Sequence, residues 1–344
     1  MKKFKSVQEI KVGVIGYGGA FNMGRSHLEE MRRAGMTPVA VAEVDPARLK
    51  VATIDFPGIQ TYATVAEMLA KSDVNLVTLI TPHNTHAPLA IQCLRAGRHV
   101  VCEKPFAITT KECDDIIREA KKKGLMVSTY HNRHWDGWIL RAVDELKKKK
   151  KIGEIFRVDL RMGSRNKPGD WWRSSRTISG GVLYDWGVHL LEYALQIIDS
   201  DIVEVSGFIK EGHWRAHTKW KEDTVEDEAT AVIRFKNGSW ANLTITNLDT
   251  NPKDGVMEVH GTLGNYTINF PHYTESLIEN DVVTSHKGPH WPSEAHRFYE
   301  NIAAHLTKGE KLVITAEWAR RPIHIIDTAI KSARLGRALP TKYK

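Results

Sequence analysis

Hydrophobic positions along the chain fall into two regimes that meet near Tyr130. In the first, short apolar runs alternate with amphipathic stretches. Lys11 to Ile15, Pro38 to Ala42, Val74 to Ile80, Arg98 to Val101 and Leu125 to Thr129 read as buried strands. Between them, Arg25 to Ala34 (closed by Gly35), about Pro88 to Ala96, and about Thr110 to Lys123 (closed by Gly124) carry helical periodicity. Strands alternating with helices predict an α/β fold with a doubly wound parallel sheet over residues 1–129.

Beyond Tyr130 the period becomes two. Phe156, Val158, Leu160 and Met162 share one face of a predicted strand, and Arg157, Asp159 and Arg161 the other. Ala229, Ala231, Ile233 and Phe235 repeat the pattern, Asn237-Gly238 supplies a two-residue hairpin turn, and Ala241, Leu243 and Ile245 resume it. Val203, Val205 and Ile209, then Met257 with Val259, then Tyr266 and Ile268 with Phe270, mark further strands. Residues 130–344 are therefore expected to form an α/β domain with a large, open, mostly antiparallel sheet, one face buried and one available to a partner. Helices are predicted at about Gly137 to Lys150 and about Ala316 to Leu335, the latter with Pro322 near its first turns. That last helix could pack back on the first domain.

Composition narrows the class. The chain has 344 residues, 42% apolar and 26% charged, ordinary for a soluble protein with a substantial core. No run approaches the ~20 apolar residues that span a bilayer, and Met1-Lys2-Lys3-Phe4-Lys5 is followed by no secretory apolar region, so a cytoplasmic protein is expected. Cys93, Cys102 and Cys113 never form Cys-x-x-Cys, which fits a reducing compartment without structural zinc. The net charge of +8 is concentrated in Lys121 to Lys123 and Lys147 to Lys151, near predicted helix ends where cations complement the dipole. A solvated surface is the reading, with no nucleic-acid partner. His83, His86 and His99 lack ligand spacing and a carboxylate cluster, and no metal is expected.

Candidate chemistry lies at strand ends. Gly16, Gly18, Gly19 and Gly24 lie between the first strand and first helix, the context in which backbone N–H groups approach a pyrophosphate. Phe21 stands where a regular G-x-G-x-x-G would have glycine. Glu43 ends the second strand, 19 residues past Gly24, placed to accept from both ribose hydroxyls and to repel a 2′-phosphate; Asp45 is its rival. Thr81-Pro82-His83-Asn84-Thr85-His86 makes a polar loop after one strand, and Cys102-Glu103-Lys104-Pro105 follows another, with a lysine able to hold an alkoxide. In the second domain, Asp185 and His189 are four apart on a helix predicted from Val182 onward, so the carboxylate would orient an imidazole base. Upstream, Asp170-Trp171-Trp172-Arg173 offers aromatic faces and a guanidinium suited to a sugar ring and its hydroxyls.

Together these pieces resemble the Gfo/Idh/MocA family, the glucose–fructose oxidoreductase and inositol dehydrogenase group. The glycine loop, Thr81-Pro82 with Asn84 and His86, Glu103-Lys104-Pro105, Gly180-Gly181 with Asp185-x-Gly187-x-His189, and His260-Gly261-Thr262-Leu263-Gly264 occur in the family's order. The resemblance implies an N-terminal Rossmann domain, NAD as cofactor, a sugar, glycoside or cyclic polyol substrate, and a homodimer or homotetramer built through the C-terminal sheet. It implies Lys104, Asp185 and His189 at the reaction centre. Thr81, Pro82, His86 and Glu103 would lie by the nicotinamide half, and Tyr130 to Arg133, including His131, near substrate. The family's Gly-Arg-x-His is met by Gly24-Arg25-Ser26-His27, so the loop carries three extra residues, and Phe21, Asn22 and Met23 become candidate phosphate contacts beside Gly19. Two further outcomes are known on such a scaffold: redox-assisted glycoside cleavage, and a non-catalytic NAD-binding regulator.

Overall fold

The computed structural model describes residues 3–343. The chain divides into two compact units, Met1–Asn132 with His296–Arg320, and Arg133–Ala295 with Arg321–Lys344.

In the first unit β1 (Lys11–Ile15), α1 (Met23–Arg33), β2 (Thr37–Ala42), α2 (Pro46–Asp55), β3 (Gln60–Tyr62), α3 (Val65–Lys71), β4 (Leu76–Leu79), α4 (His86–Arg95), β5 (His99–Cys102), α5 (Thr110–Lys123) and β6 (Val127–Thr129) succeed one another. The strands form one parallel sheet in the order β3-β2-β1-β4-β5-β6. Every residue of β4 and β5 is buried, as strands covered on both faces require. The order reverses between β1 and β4, and in such sheets the crevice outside the carboxyl ends at that reversal takes the ligand. α5 has the predicted bounds because its ends are written locally. Thr109 and Glu112 close a capping box, Lys121, Lys122 and Lys123 occupy the last turn, and Gly124 takes the left-handed conformation at φ 60°.

In the second unit α6 (Gly137–Val143) passes into a π-helical turn, Asp144–Lys148, rather than running on as one regular helix. Then come β7 (Ile155–Gly163), α7 (Arg176–Ser179), α8 (Gly187–Ile197), β8 (Ile202–Lys210), β9 (Glu228–Phe235), β10 (Trp240–Thr246), β11 (Met257–Gly261), β12 (Gly264–Ile268), β13 (Tyr273–Glu279) and β14 (Val282–Gly288). α9 (Arg297–Lys308) belongs to the first unit, α10 (Ala316–Leu335) begins in the first and ends in the second, and β15 (Leu339–Pro340) closes the chain. The nine strands order as β14-β13-β12-β11-β7-β10-β9-β8-β15, antiparallel except between β7 and β10. Val158, Leu160, Ala231, Ile233, Ala241, Leu243, Met257 and Val259 are buried on the face covered by α8. No helix among the described residues is long and apolar enough to cross a membrane.

Three local expectations are corrected. Only Gly238 of the β9–β10 turn has positive φ, whereas a two-residue type I′ turn needs it at both positions; Phe235 N–H bonds Ser239 O across a three-residue loop instead. Val203 is exposed, because a register shift between Ile202 and Glu204 puts Ile202 inward. Phe270 lies beyond the end of β12 and is 45% exposed, not a core position of that strand.

Candidate active site

The first unit builds a nucleotide corner. Gly16 follows β1 at φ 98°, and a Cβ there would lie 2.1 Å from Ile80 O, so only glycine lets the chain turn against β4. A Cβ on Gly24 would lie 2.6 Å from the Tyr17 ring and 2.9 Å from Gly16 O, which is how α1 seats directly on the loop. A Cβ on Gly18, by contrast, would meet nothing within 4 Å, leaving open space over the backbone. Asn22 sits left-handed at φ 50° before the first helical residue, Met23, and its side chain does not cap the helix. Phe21 is 55% exposed at the tip of the lengthened loop. Glu43, one residue past β2, accepts from Tyr17 N–H at 2.6 Å and from Asp45 N–H at 3.1 Å. Asp45 is spent as the N-cap of α2, accepting from Ala47 N–H, so Glu43 is the acid that faces the glycine loop. A cradle that a side chain would fill, an uncapped helix start and a carboxylate after β2 fit a dinucleotide.

The ends of β4 and β5 are bolted together beside that corner. Thr81 and Thr85 hydroxyls bond each other at 2.6 Å, and Thr85 Oγ1 donates to Pro82 O, which stiffens the loop carrying Asn84. His86 is fully buried, with Nδ1 2.7 Å from Pro105 O and Nε2 3.0 Å from Thr81 O. Its imidazole ties the two strand ends to each other and cannot meet a ligand, which corrects its place among the cofactor contacts. Glu103 is held from two sides: Oε1 lies 3.0 Å from His27 Nε2, and Oε2 accepts from Lys104 N–H at 2.8 Å. Burial works to raise the Glu103 carboxyl; the hydrogen bond and charge of His27, with Lys104, outweigh it and hold it below the ordinary range. His27 Nδ1 meets Tyr299 Oη at 2.7 Å, and that hydroxyl lies 3.1 Å from Thr78 Oγ1. The buttress behind Glu103-Lys104-Pro105 thus includes a residue of α9, nearly two hundred positions along the chain. Sequence reasoning missed His27 and Tyr299. Only the Gly-Arg-x-His tail hinted at the first, and nothing marks the second. The Lys104–Pro105 peptide is cis, and Lys104 is half-buried. His131, after β6, is buried.

The second unit carries the other candidates. Gly180 and Gly181 turn at φ 93° and 135°, and Glu226, 2% exposed, accepts from Val182 N–H at 2.9 Å to brace the turn. A single 3-10 turn, Val182–Tyr184, follows, and α8 begins only at Gly187. Asp185 is therefore outside the helix, and the shared helical face expected for Asp185 and His189 does not form. The Asp185 carboxylate turns instead to Arg173, whose Nη1 lies 3.0 and 3.1 Å from its two oxygens. The guanidinium carbon lies 5.1 Å from the Trp171 ring centre and 5.3 Å from that of Trp172, so two neighbouring indoles border the arginine that holds Asp185. His189 is buried in the first turn of α8 with Trp186 against it, ring centres 5.7 Å apart. The Arg133 guanidinium lies 4.9 Å from the Trp186 ring centre, and its Nη1 bonds Asp136, which also accepts from Tyr193 Oη at 2.8 Å. Asp159, Glu258 and His260 come together on the open sheet face, but the Arg157 guanidinium already bonds both Asp159 and His260 there.

A doubly wound sheet with a glycine cradle, joined to a second unit with a histidine-bearing helix on a broad sheet, defines a two-part nucleotide-binding α/β protein. Comparison with known proteins makes that specific. The family model described as "Oxidoreductase family, NAD-binding Rossmann fold" matches residues 10–131, and the "GFO/IDH/MocA C-terminal domain" matches residues 140–267. The scyllo-inositol 2-dehydrogenase (NADP(+)) IolW of Bacillus subtilis is 24% identical, with 98% of each chain covered. The myo-inositol 2-dehydrogenase of Thermotoga maritima is 28% identical over 80% of this chain and 78% of the relative. A solved NAD-binding protein from Listeria innocua superposes with TM-score 0.79 at 26% identity, covering 97% of each chain. The chain belongs to the Gfo/Idh/MocA oxidoreductase family and is an NAD(P)-dependent dehydrogenase.

Proposed function

We propose that this protein oxidises a secondary hydroxyl of a sugar, glycoside or cyclic polyol, reversibly, with NAD as the preferred cofactor. The observation that carries the reading is the fixing of Glu103-Lys104-Pro105 at the carboxyl end of β5 by His27 and Tyr299, which gives Lys104 a rigid base. The two inositol dehydrogenases among the relatives support the substrate class. Backbone N–H groups of Gly16, Gly18, Gly19, Phe21, Asn22 and Met23 would hold the pyrophosphate, Glu43 the adenine-side ribose, and Thr81, Pro82 and Asn84 the nicotinamide side. When bound, the nicotinamide supplies the two-electron redox chemistry.

The rest falls to side chains. His189 accepts the proton of the reacting hydroxyl. Lys104 donates to that oxygen and stabilises the negative charge that develops on it. Asp185, paired with Arg173, orients His189 or accepts from a neighbouring substrate hydroxyl. Arg133, Trp172 and Arg173 contact the ring. Glu43 favours NAD because its carboxylate accepts ribose hydroxyls and repels a 2′-phosphate. The open face of the nine-stranded sheet joins copies of the chain into a homodimer or homotetramer.

The test is a panel of cyclitols, free sugars and glycosides, each with NAD and with NADP, followed at 340 nm. Reduced cofactor accumulating with at least one of them is the expected result. No reduction with any, together with aglycone release from a glycoside, selects redox-assisted cleavage; no turnover at all and a stoichiometric protein partner selects a regulator.

A further inference from the structure

A cavity of about 340 Å³ in the second unit lies outside the residues assigned above. Its wall comes from the end of β7 (Arg161, Gly163), the segment after β10 (Asp249, Lys253, Asp254) and the β12–β13 turn, where Phe270 stands. That volume is at the lower end of small-molecule sites, roughly 300–1,000 Å³. A chain of ring contacts runs from its wall toward the candidate base. Phe270 lies edge-on to Trp186 with centres 5.9 Å apart, and Trp186 lies 5.7 Å from the His189 ring.

The chemistry of the wall is mixed and balanced. Arg161 and Lys253 face Asp249 and Asp254, two cations against two anions, so the cavity has no net pull on a phosphate or carboxylate. Arg161 Nη2 bonds Asp249 Oδ2 at 2.6 Å, while its Nε–H is buried with no acceptor among the described residues. Lys253 and Asp254 are exposed on the wall and offer one donor and one acceptor for further hydroxyls. Phe270 adds a half-exposed ring of the kind on which the C–H face of a pyranose lies.

We infer that this cavity is a second saccharide subsite, and that the substrate is a glycoside whose non-reacting hexose ring rests on Phe270 with its hydroxyls on Arg161, Lys253 and Asp254. The inference deepens the proposed oxidoreductase reading and rests on it for which ring reacts. Its test has two arms. In saturation-transfer NMR with cellobiose and maltose and no cofactor, protons of both rings are expected to take up saturation. In Phe270→Ala and in Lys253→Ala the signal of one ring should fall at least threefold, with Phe270→Tyr close to native. In steady-state kinetics the ratio of kcat/KM for disaccharide over glucose is expected to exceed 10 and to fall at least fivefold in Phe270→Ala, through KM. Ring-selective NMR loss without any redox activity leaves the subsite standing and removes the oxidoreductase reading. Saturation of one ring only in the native protein, or equal signals in native and variants, overturns the subsite even if glucose is oxidised.

Discussion

Gly181→Ala is the substitution whose cost the structure specifies most closely. At φ 135° and ψ 175° Gly181 occupies a region essentially reserved for glycine, where another residue costs on the order of 1–3 kcal/mol. The added Cβ would also lie 2.7 Å from Glu226 Oε2 and 3.1 Å from Oε1. That carboxylate accepts from Val182 N–H, and moving it strands a part-buried donor at a further cost of about 1–3 kcal/mol. The two effects together come to about 2–6 kcal/mol, and at roughly 2–4 °C per kcal/mol the second unit should melt about 4–24 °C lower. Gly212→Ala is the control, with φ 101° and nothing within 4 Å of its Cβ. It carries backbone strain alone, about 1–2 kcal/mol. Thermal unfolding followed by far-UV circular dichroism reads both. Below the transition, Gly181→Ala should still lose turnover, because the turn sets the start of the helix that bears His189, while cofactor affinity holds. Equal melting of the two variants would refute the bracing role given to Glu226.

Other predictions concern cofactor, pH and assembly. Native protein should show a kcat/KM for NAD at least tenfold above that for NADP, and Glu43→Ala should narrow the gap; a native preference for NADP would mean that Glu43 does not hold the ribose. His99 is buried with Nδ1 accepting from Met126 N–H, and burial pushes its pKa down to about 4. Its folded value is depressed, so its stabilising contribution is complete above about 6.5 and is lost as pH falls toward 4. That depression from 6.5 to about 4 amounts to about 3 kcal/mol. Urea midpoints at pH 4.5 and 7 should therefore converge in His99→Gln, and an unchanged pH slope would contradict it. Phe208 is 61% exposed on the open face of β8, and Phe208→Asp should lower the sedimenting mass if that face joins subunits. An identical mass would place the interface elsewhere.

What could be read from the sequence was what is written locally. α5 is bounded by its own capping box and Gly124, and α10 keeps its predicted span with Pro322 inside it, where proline forgoes one i→i−4 hydrogen bond. The sheet of the first unit follows from apolar runs too short to be helices. Features set by distant partners were not legible. The spacing of Asp185 and His189 suits a helix, yet α8 begins only at Gly187 and Asp185 pairs with Arg173, and nothing in i, i+4 spacing foretells a competing guanidinium. His86 looked like a loop histidine facing a ligand and is a buried tie between two strand ends, since Pro105 O and Thr81 O converge on it only in the folded unit. Tyr299 carries no motif at all, and its role comes from the return of residues 296–320 to the first unit.

The assignment of Lys104 and His189 to one reacting hydroxyl is tested most directly by single-turnover formation of NADH in a stopped-flow instrument, with native protein, Lys104→Ala and His189→Ala, on the best substrate of the panel. Each variant should be slowed at least a hundredfold at saturating substrate, about 2.7 kcal/mol of barrier, with the NAD dissociation constant within threefold of native. A near-native rate in either variant would contradict the account.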